Sequence, residues 1–125
     1  MSRRDLTGAV DFAYLESYAA NDQAVVEEVL GLFREQATMW TRLLDQHHDS
    51  SAWRDAVHTL KGSARGIGAG DLAQACEMAE RAPVGLELPA VRDALDLVLT
   101  DIAAYLHEQA LRSLRHNTAH PGQRP

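Results

Sequence analysis

The sequence predicts an all-α protein, an antiparallel four-helix bundle with an additional short N-terminal helix. Three observations carry that prediction. Apolar residues return at steps of three and four in four separate segments, no stretch alternates with period two for long enough to make a strand, and the connections between segments are short. At 125 residues and 46% hydrophobic content the chain is about one domain, able to fill one core without disulfide or metal staples. The bundle is expected over residues 11–116, with an N-terminal arm at 1–10 and a solvated, flexible tail at 117–125.

The elements follow in order. Phe12, Leu15 and Tyr18 or Ala19 give a short first helix that can lie across an end of the others. Val26, Leu30, Phe33, Ala37, Trp40 and Leu44 mark one face of a long helix over about residues 22–48, with Asp22 as N-cap. Trp53, Val57, Leu60 and Ala64 repeat the step after the capping candidates Ser50 and Ser51, and this helix runs into Gly66, Gly68 and Gly70. A shorter helix carries Leu72, Ala75, Cys76 and Ala79, with Asp71 as N-cap and a stop before Pro83. The last helix carries Val91, Leu95, Val98, Ile102 and Tyr105, places Pro89 near its first turn and extends through Leu111 and Leu114.

Charge and composition exclude several function classes. A formal charge of -6 argues against a general binder of nucleic acid or anionic membrane, and no segment approaches the ~20 apolar residues that span a bilayer. A protein partner is expected instead. The lone Cys76 lies on an apolar stripe and reads as a small core residue in a reducing compartment. Together with an N-terminus that lacks the apolar run of a signal peptide, it predicts a cytoplasmic protein. One buried face per helix predicts a monomer.

The chemistry concentrates on the helix after Ser50 and Ser51. His58 is one position off the core residue Val57, roughly 100° around the helix, so its ring is expected at the surface. Lys61, Gly62 and Arg65 follow at three, four and seven positions and share its side. Glycine inside a helix costs roughly 1 kcal/mol relative to alanine, so Gly62 needs a reason. Either it lets a neighbouring helix pack closely, or it clears the space beside His58 for another protein. Lys61 is the single lysine among twelve basic residues, and no acid falls between Asp55 and Asp71, which predicts a local positive patch on an acidic protein. A neutral imidazole accepts a phosphoryl group well, since one nitrogen keeps a lone pair while the other donates a hydrogen bond. Lys61 and Arg65 are then placed to offset the phosphoryl charge.

Two tempting motifs fail. Gly66-x-Gly68-x-Gly70 departs from a nucleotide loop, has no strand before it and reads as a helix-ending turn. His47 and His48 are adjacent and point different ways on a helix, so no metal site is expected on the chain.

The stretch Ala56-Val57-His58-Thr59-Leu60-Lys61-Gly62-Ser63-Ala64, then Ile67-Gly68-Ala69 and Leu72, Cys76 and Glu80, resembles the histidine-containing phosphotransfer (HPt) domain. Val57 stands where that family commonly has alanine. The distinctive motif covers residues 56–80, and the layout covers about 12–112. The resemblance implies that His58 takes a phosphoryl group from a receiver-domain aspartate and passes it to another receiver, so that the chain is a phosphorelay intermediate of two-component signalling. It implies that Lys61 contacts the phosphoryl oxygens, that Gly62 gives the receiver access, and that Glu80 orients the imidazole from the next helix. The implied partner is a receiver domain of a response regulator or hybrid histidine kinase, with Mg²⁺ on that receiver and no cofactor on this chain. The chain has no room for an ATP-binding domain, so no kinase activity is expected. Helix geometry nominates Arg54, Asp55, Gln36 and Met39 as the docking surface. The competing reading is a helical adaptor or inhibitor that binds a receiver or kinase without carrying phosphate.

Overall fold

A computed structural model describes residues 6–44, 50–82 and 87–119 of the chain. These form five helices, α1 (Phe12–Tyr18), α2 (Gln23–Leu44), α3 (Ser50–Gly66), α4 (Gly70–Arg81) and α5 (Leu88–Ala119), and no strand occurs among the described residues. Helices α2, α3, α4 and α5 close a ring in which each packs on the next and α5 returns to α2. Cross-links set the directions. Lys61 and Arg54 on α3 reach Glu77 and Glu80 on α4, the earlier residue meeting the later one, so these two helices are antiparallel. Gln23 at the start of α2 meets Tyr105, while Ala37 and Thr41 further along α2 line a groove with Leu99, earlier on α5, which makes that pair antiparallel too.

The predicted stripes are the core. Val26, Leu30, Phe33, Ala37, Trp40 and Leu44 on α2 are each at most 4% exposed, as are Trp53, Val57, Leu60 and Ala64 on α3. Burying a large apolar side chain contributes about 1.5–3 kcal/mol, so these faces set how the helices turn toward one another. Cys76 is fully buried among them, and burial pushes its thiol up to about 12, which leaves it without thiolate chemistry. On α4 it is Ala73 that is buried, whereas Ala75 is only partly covered. On α5 the stripe ends before Leu114, which is 63% exposed.

The end of α3 has a specific cause. Ala69 N–H donates to Ala64 O at 2.8 Å and Gly68 N–H to Arg65 O at 3.2 Å, with Gly68 at φ +80°. This is a Schellman stop, and its left-handed position favours glycine. A Cβ on Gly68 would also meet Asp11 O and Tyr14 Cδ2 at 3.1 Å, because α1 starts against this turn. Asp11 N–H donates to Gly68 O at 2.9 Å, and Asp11 Oδ1 caps α1 by accepting from Tyr14 N–H.

Several boundaries differ from expectation. Ser50 and Ser51 belong to the first turn of α3 instead of preceding it. Residue Ala69, not Asp71, occupies the N-cap of α4, because the Schellman turn hands the backbone directly into the next helix; Asp71 sits in the first turn, where a negative charge suits the helix dipole. Helix α5 runs to Ala119, three residues past the expected end of the bundle. His47, His48, Pro83 and the last six residues lie outside the described residues.

The arm is the largest departure. Ala9 and Val10 are buried, and Asp101 on α5, fully buried, collects the backbone ahead of α1. Its carboxylate accepts from Thr7 N–H at 2.9 and 3.0 Å, from the Thr7 hydroxyl at 3.0 Å and from Ala9 N–H at 3.1 Å. Residues 7–10 are therefore pinned to the bundle. Phe12 stacks on Tyr105 at 4.3 Å and the Tyr105 hydroxyl donates to Glu16 at 2.6 Å, which fixes α1 to the same helix.

Candidate functional site

Because α3 turns Val57 and Leu60 inward, His58 between them stands out from the surface with its side chain 73% exposed. The ring is nonetheless held. Its Nδ1 lies 2.8 Å from Glu80 Oε2, reached across the seam from the last turns of α4. Glu80 is held below the ordinary carboxylate range, first by the hydrogen bond from Lys61 and then by that from His58. An ionised carboxylate can only accept, so Nδ1 carries a proton, and in the neutral imidazole Nε2 is the nitrogen that keeps the lone pair. Sequence spacing alone placed Glu80 one helix away; the antiparallel register brings it to the ring.

Lys61 lies beneath this pair with its side chain only 15% exposed. Its ammonium donates to Glu77 Oε1 at 3.2 Å and to Glu80 Oε1. The hydrogen bonds to Glu80 and then Glu77 push the lysine above its ordinary value of 10.5. Glu77, three residues before Glu80 and so on the same face of α4, is held low chiefly by Lys61. It also accepts from Arg81 Nη2 at 2.9 Å and has Arg65 Nη2 3.6 Å away.

This corrects the expected positive patch. No acid interrupts α3 between Asp55 and Asp71, but α4 supplies Glu77 and Glu80 to the same face, and both Lys61 and Arg65 are paired there. Charge counted along one helix missed the neighbour packed against it. Glu77 is the residue that sequence reasoning overlooked; its signal was the three-residue offset from Glu80 on the same short helix.

Close helix packing is not the reason for Gly62. A Cβ built there meets nothing within 4 Å, so no helix packs closely on it and the space beside His58 is open. The docking nominees divide. Gln36 and Asp55 are exposed and Met39 is 49% exposed. Arg54 is not a free surface cation: it donates to Glu80 O at 3.2 Å and Ala82 O at 3.1 Å and stacks over Trp53 at 4.6 Å, tying the end of α4 to α3. The last carbonyls of a helix need donors, and Arg54 supplies them.

Two shallow grooves follow the seam of α2 and α3. One, of about 220 Å³, lies among Val29, Leu32, Gln36, Ser63 and Gly66. The other, of about 260 Å³, lies among Met39, Leu43, Asp55 and Thr59. Leu32, 53% exposed, and Met39 give this side an apolar surface next to Gly62. Among the described residues no group of three or more side chains is disposed to hold a metal ion, and no helix is long and apolar enough to cross a membrane.

The Hpt domain family matches the chain over residues 20–116. Among solved structures, the crystal structure of the histidine phosphotransferase ShpA from Caulobacter crescentus is 61% identical in sequence, superposes with a TM-score of 0.78, and matches over 86% of this chain and 99% of that one. No curated protein matches the sequence.

Proposed function

Because the chain belongs to the Hpt domain family, we propose that the phosphoryl group it carries is borne on Nε2 of His58. The chain is a phosphorelay intermediate of two-component signalling, and its family is one of phosphotransfer carriers, not kinases. One observation carries the assignment of the atom: an exposed imidazole whose Nδ1 proton is held by Glu80, leaving Nε2 bare beside an open Gly62.

The step needs no proton transfer at the ring. The Nε2 lone pair attacks the phosphorus of a receiver aspartyl phosphate, the bond from phosphorus to the aspartate oxygen breaks, and its electron pair leaves with the carboxylate. The phosphorylated ring keeps the Nδ1 proton and so gains positive charge, which the Glu80 carboxylate at 2.8 Å stabilises. Passing the group to a second receiver reverses the same events. Lys61 and, more loosely, Arg65 are the cations within reach of the phosphoryl oxygens; Mg²⁺ and the remaining charge stabilisation belong to the receiver. Nucleotide plays no part in either step on this chain.

The receiver docks along the α2 and α3 seam, with Leu32 and Met39 as apolar contacts, Gln36 and Asp55 as polar ones, and Gly62 leaving room above the ring. The chain acts as a cytoplasmic monomer: the buried stripes of its long helices meet in one shared core, and the buried Cys76 is a free thiol, as a reducing compartment keeps it. The deciding experiment charges receiver domains with acetyl phosphate and Mg²⁺ and follows phosphate onto this chain. Acid-labile, base-stable label appears on the wild type and is absent from His58→Gln. A receiver that binds the wild type yet never labels it would instead establish a non-phosphorylated adaptor.

A further inference from the structure

Glu77 occupies an unusual place for a residue outside the imidazole's own contacts. It touches Lys61, Arg65 and Arg81, and through Lys61 it is coupled to Glu80 and His58. We propose that Glu77 is a positioning residue that sets how readily His58 gives up its phosphoryl group, by withholding Lys61 from it and by adding negative charge to the same face.

The geometry supplies both parts. An ammonium has three donors, and Lys61 already spends one on Glu77 and one on Glu80 while lying only 15% exposed. A phosphoryl group on the exposed ring can therefore recruit Lys61 fully only by drawing it away from a carboxylate that is itself held in place. Arg81 at 2.9 Å and Arg65 at 3.6 Å provide that hold from two further positions. Glu80 holds the lysine too, through Oε1, but its Oε2 is on Nδ1, so Glu77 is the carboxylate that engages Lys61 without touching the ring. The second part is Coulombic: the Glu77 carboxylate, which makes no contact with the ring, shares this face with a group that brings about two negative charges, and like charges disfavour the loaded state. Both parts push in one direction, toward a phosphohistidine that transfers onward instead of accumulating.

This inference rests on the reading of His58 as acceptor, and it concerns an equilibrium, so its test separates the two. The chain is equilibrated with a receiver domain that acetyl phosphate charges and that labels the wild type, and the ratio of phosphohistidine to phosphoaspartate is measured. Glu77→Gln shifts that ratio toward phosphohistidine by roughly threefold to tenfold, the size expected for one charge removed at a partly exposed site. Glu77→Asp, which keeps the charge, restores most of the wild-type ratio. In a Lys61→Ala background the Glu77→Gln shift shrinks, because the part routed through the lysine is gone. A purely structural role leaves the ratio unchanged, since unfolded chain takes no part in it. A ratio for Glu77→Gln within twofold of wild type, or displaced toward phosphoaspartate, overturns the inference while leaving His58 as acceptor intact. Failure of the wild type to label at all sinks the acceptor reading beneath it.

Discussion

Two carboxylates in this molecule gather several donors each, and they do opposite work. Asp101 is fully buried and is filled by backbone N–H groups and the hydroxyl of Thr7. Glu80 lies at the surface with a side chain 23% exposed, and its donors are the side chains of His58 and Lys61. Backbone donors cannot be exchanged without unfolding the segment that carries them, so Asp101 holds the arm against α5. Side-chain donors at the surface can swing away, recruit a phosphate or respond to a partner. The difference lies in what surrounds the carboxylate, not in its chemistry.

That contrast is sharpest under substitution. Asp101→Ala leaves the Thr7 N–H and hydroxyl without their acceptor and leaves the Ala9 N–H only its longer bond to the Thr7 hydroxyl oxygen at 3.3 Å, and a loss of about 2–4 kcal/mol in stability is expected from chemical denaturation. Phosphoryl transfer by the fraction that remains folded is unchanged. If Asp101→Ala instead left stability within ~0.5 kcal/mol, the size usual for a surface change, the arm would not be pinned by this carboxylate.

Gly62 tests the other region. Its interior helical position and open surroundings predict that Gly62→Ala raises stability by about 0.5–1 kcal/mol, the ordinary helix-propensity gain. Gly62→Tyr folds as well as wild type but slows transfer from a charged receiver by roughly a hundredfold, about 2.7 kcal/mol in barrier, because it fills the approach to Nε2. Normal transfer by the tyrosine variant would show that the receiver reaches the ring from elsewhere.

The smallest effect is the pH response of the charged face. Glu77 and Glu80 titrate below their ordinary 4.5 when folded, so their contribution to stability is present above that value and is lost as pH falls through their folded values. Lys61 titrates above its ordinary 10.5, so its contribution is complete below that value and is lost as pH rises through its folded one. The stability difference between wild type and Lys61→Ala should therefore be flat between about pH 5 and pH 10 and shrink on either side. A difference that changed steadily across that plateau would point to another titrating group in contact with Lys61.

The bundle was legible because its signal is local. Helical steps such as Val26, Leu30, Phe33 or Trp53, Val57, Leu60 bury the residues they name, and His58, one position off the stripe, is exposed as its spacing requires. Gly68, with its positive φ, ends α3 within the run of glycines that marked it. Errors arose where a property depended on a neighbour. Arg54 has the spacing of a surface residue on α3 yet is consumed by the end of α4, and the positive patch dissolves once α4 brings Glu77 and Glu80 across.

By itself, then, the sequence determined most of the residues that turn inward, that four long or medium helices share one core, and that His58, Lys61 and Gly62 lie on one side of a single helix, because each depends only on the 3.6-residue period of that helix. The tertiary structure decided the rest. The register of α3 against α4 sets Glu80 on Nδ1 and Lys61 between two carboxylates, and the closing of α5 against the arm turns Asp101 into a buried anchor. Those pairings join residues from 16 to 94 positions apart, and only the packing of whole helices fixes which of them meet.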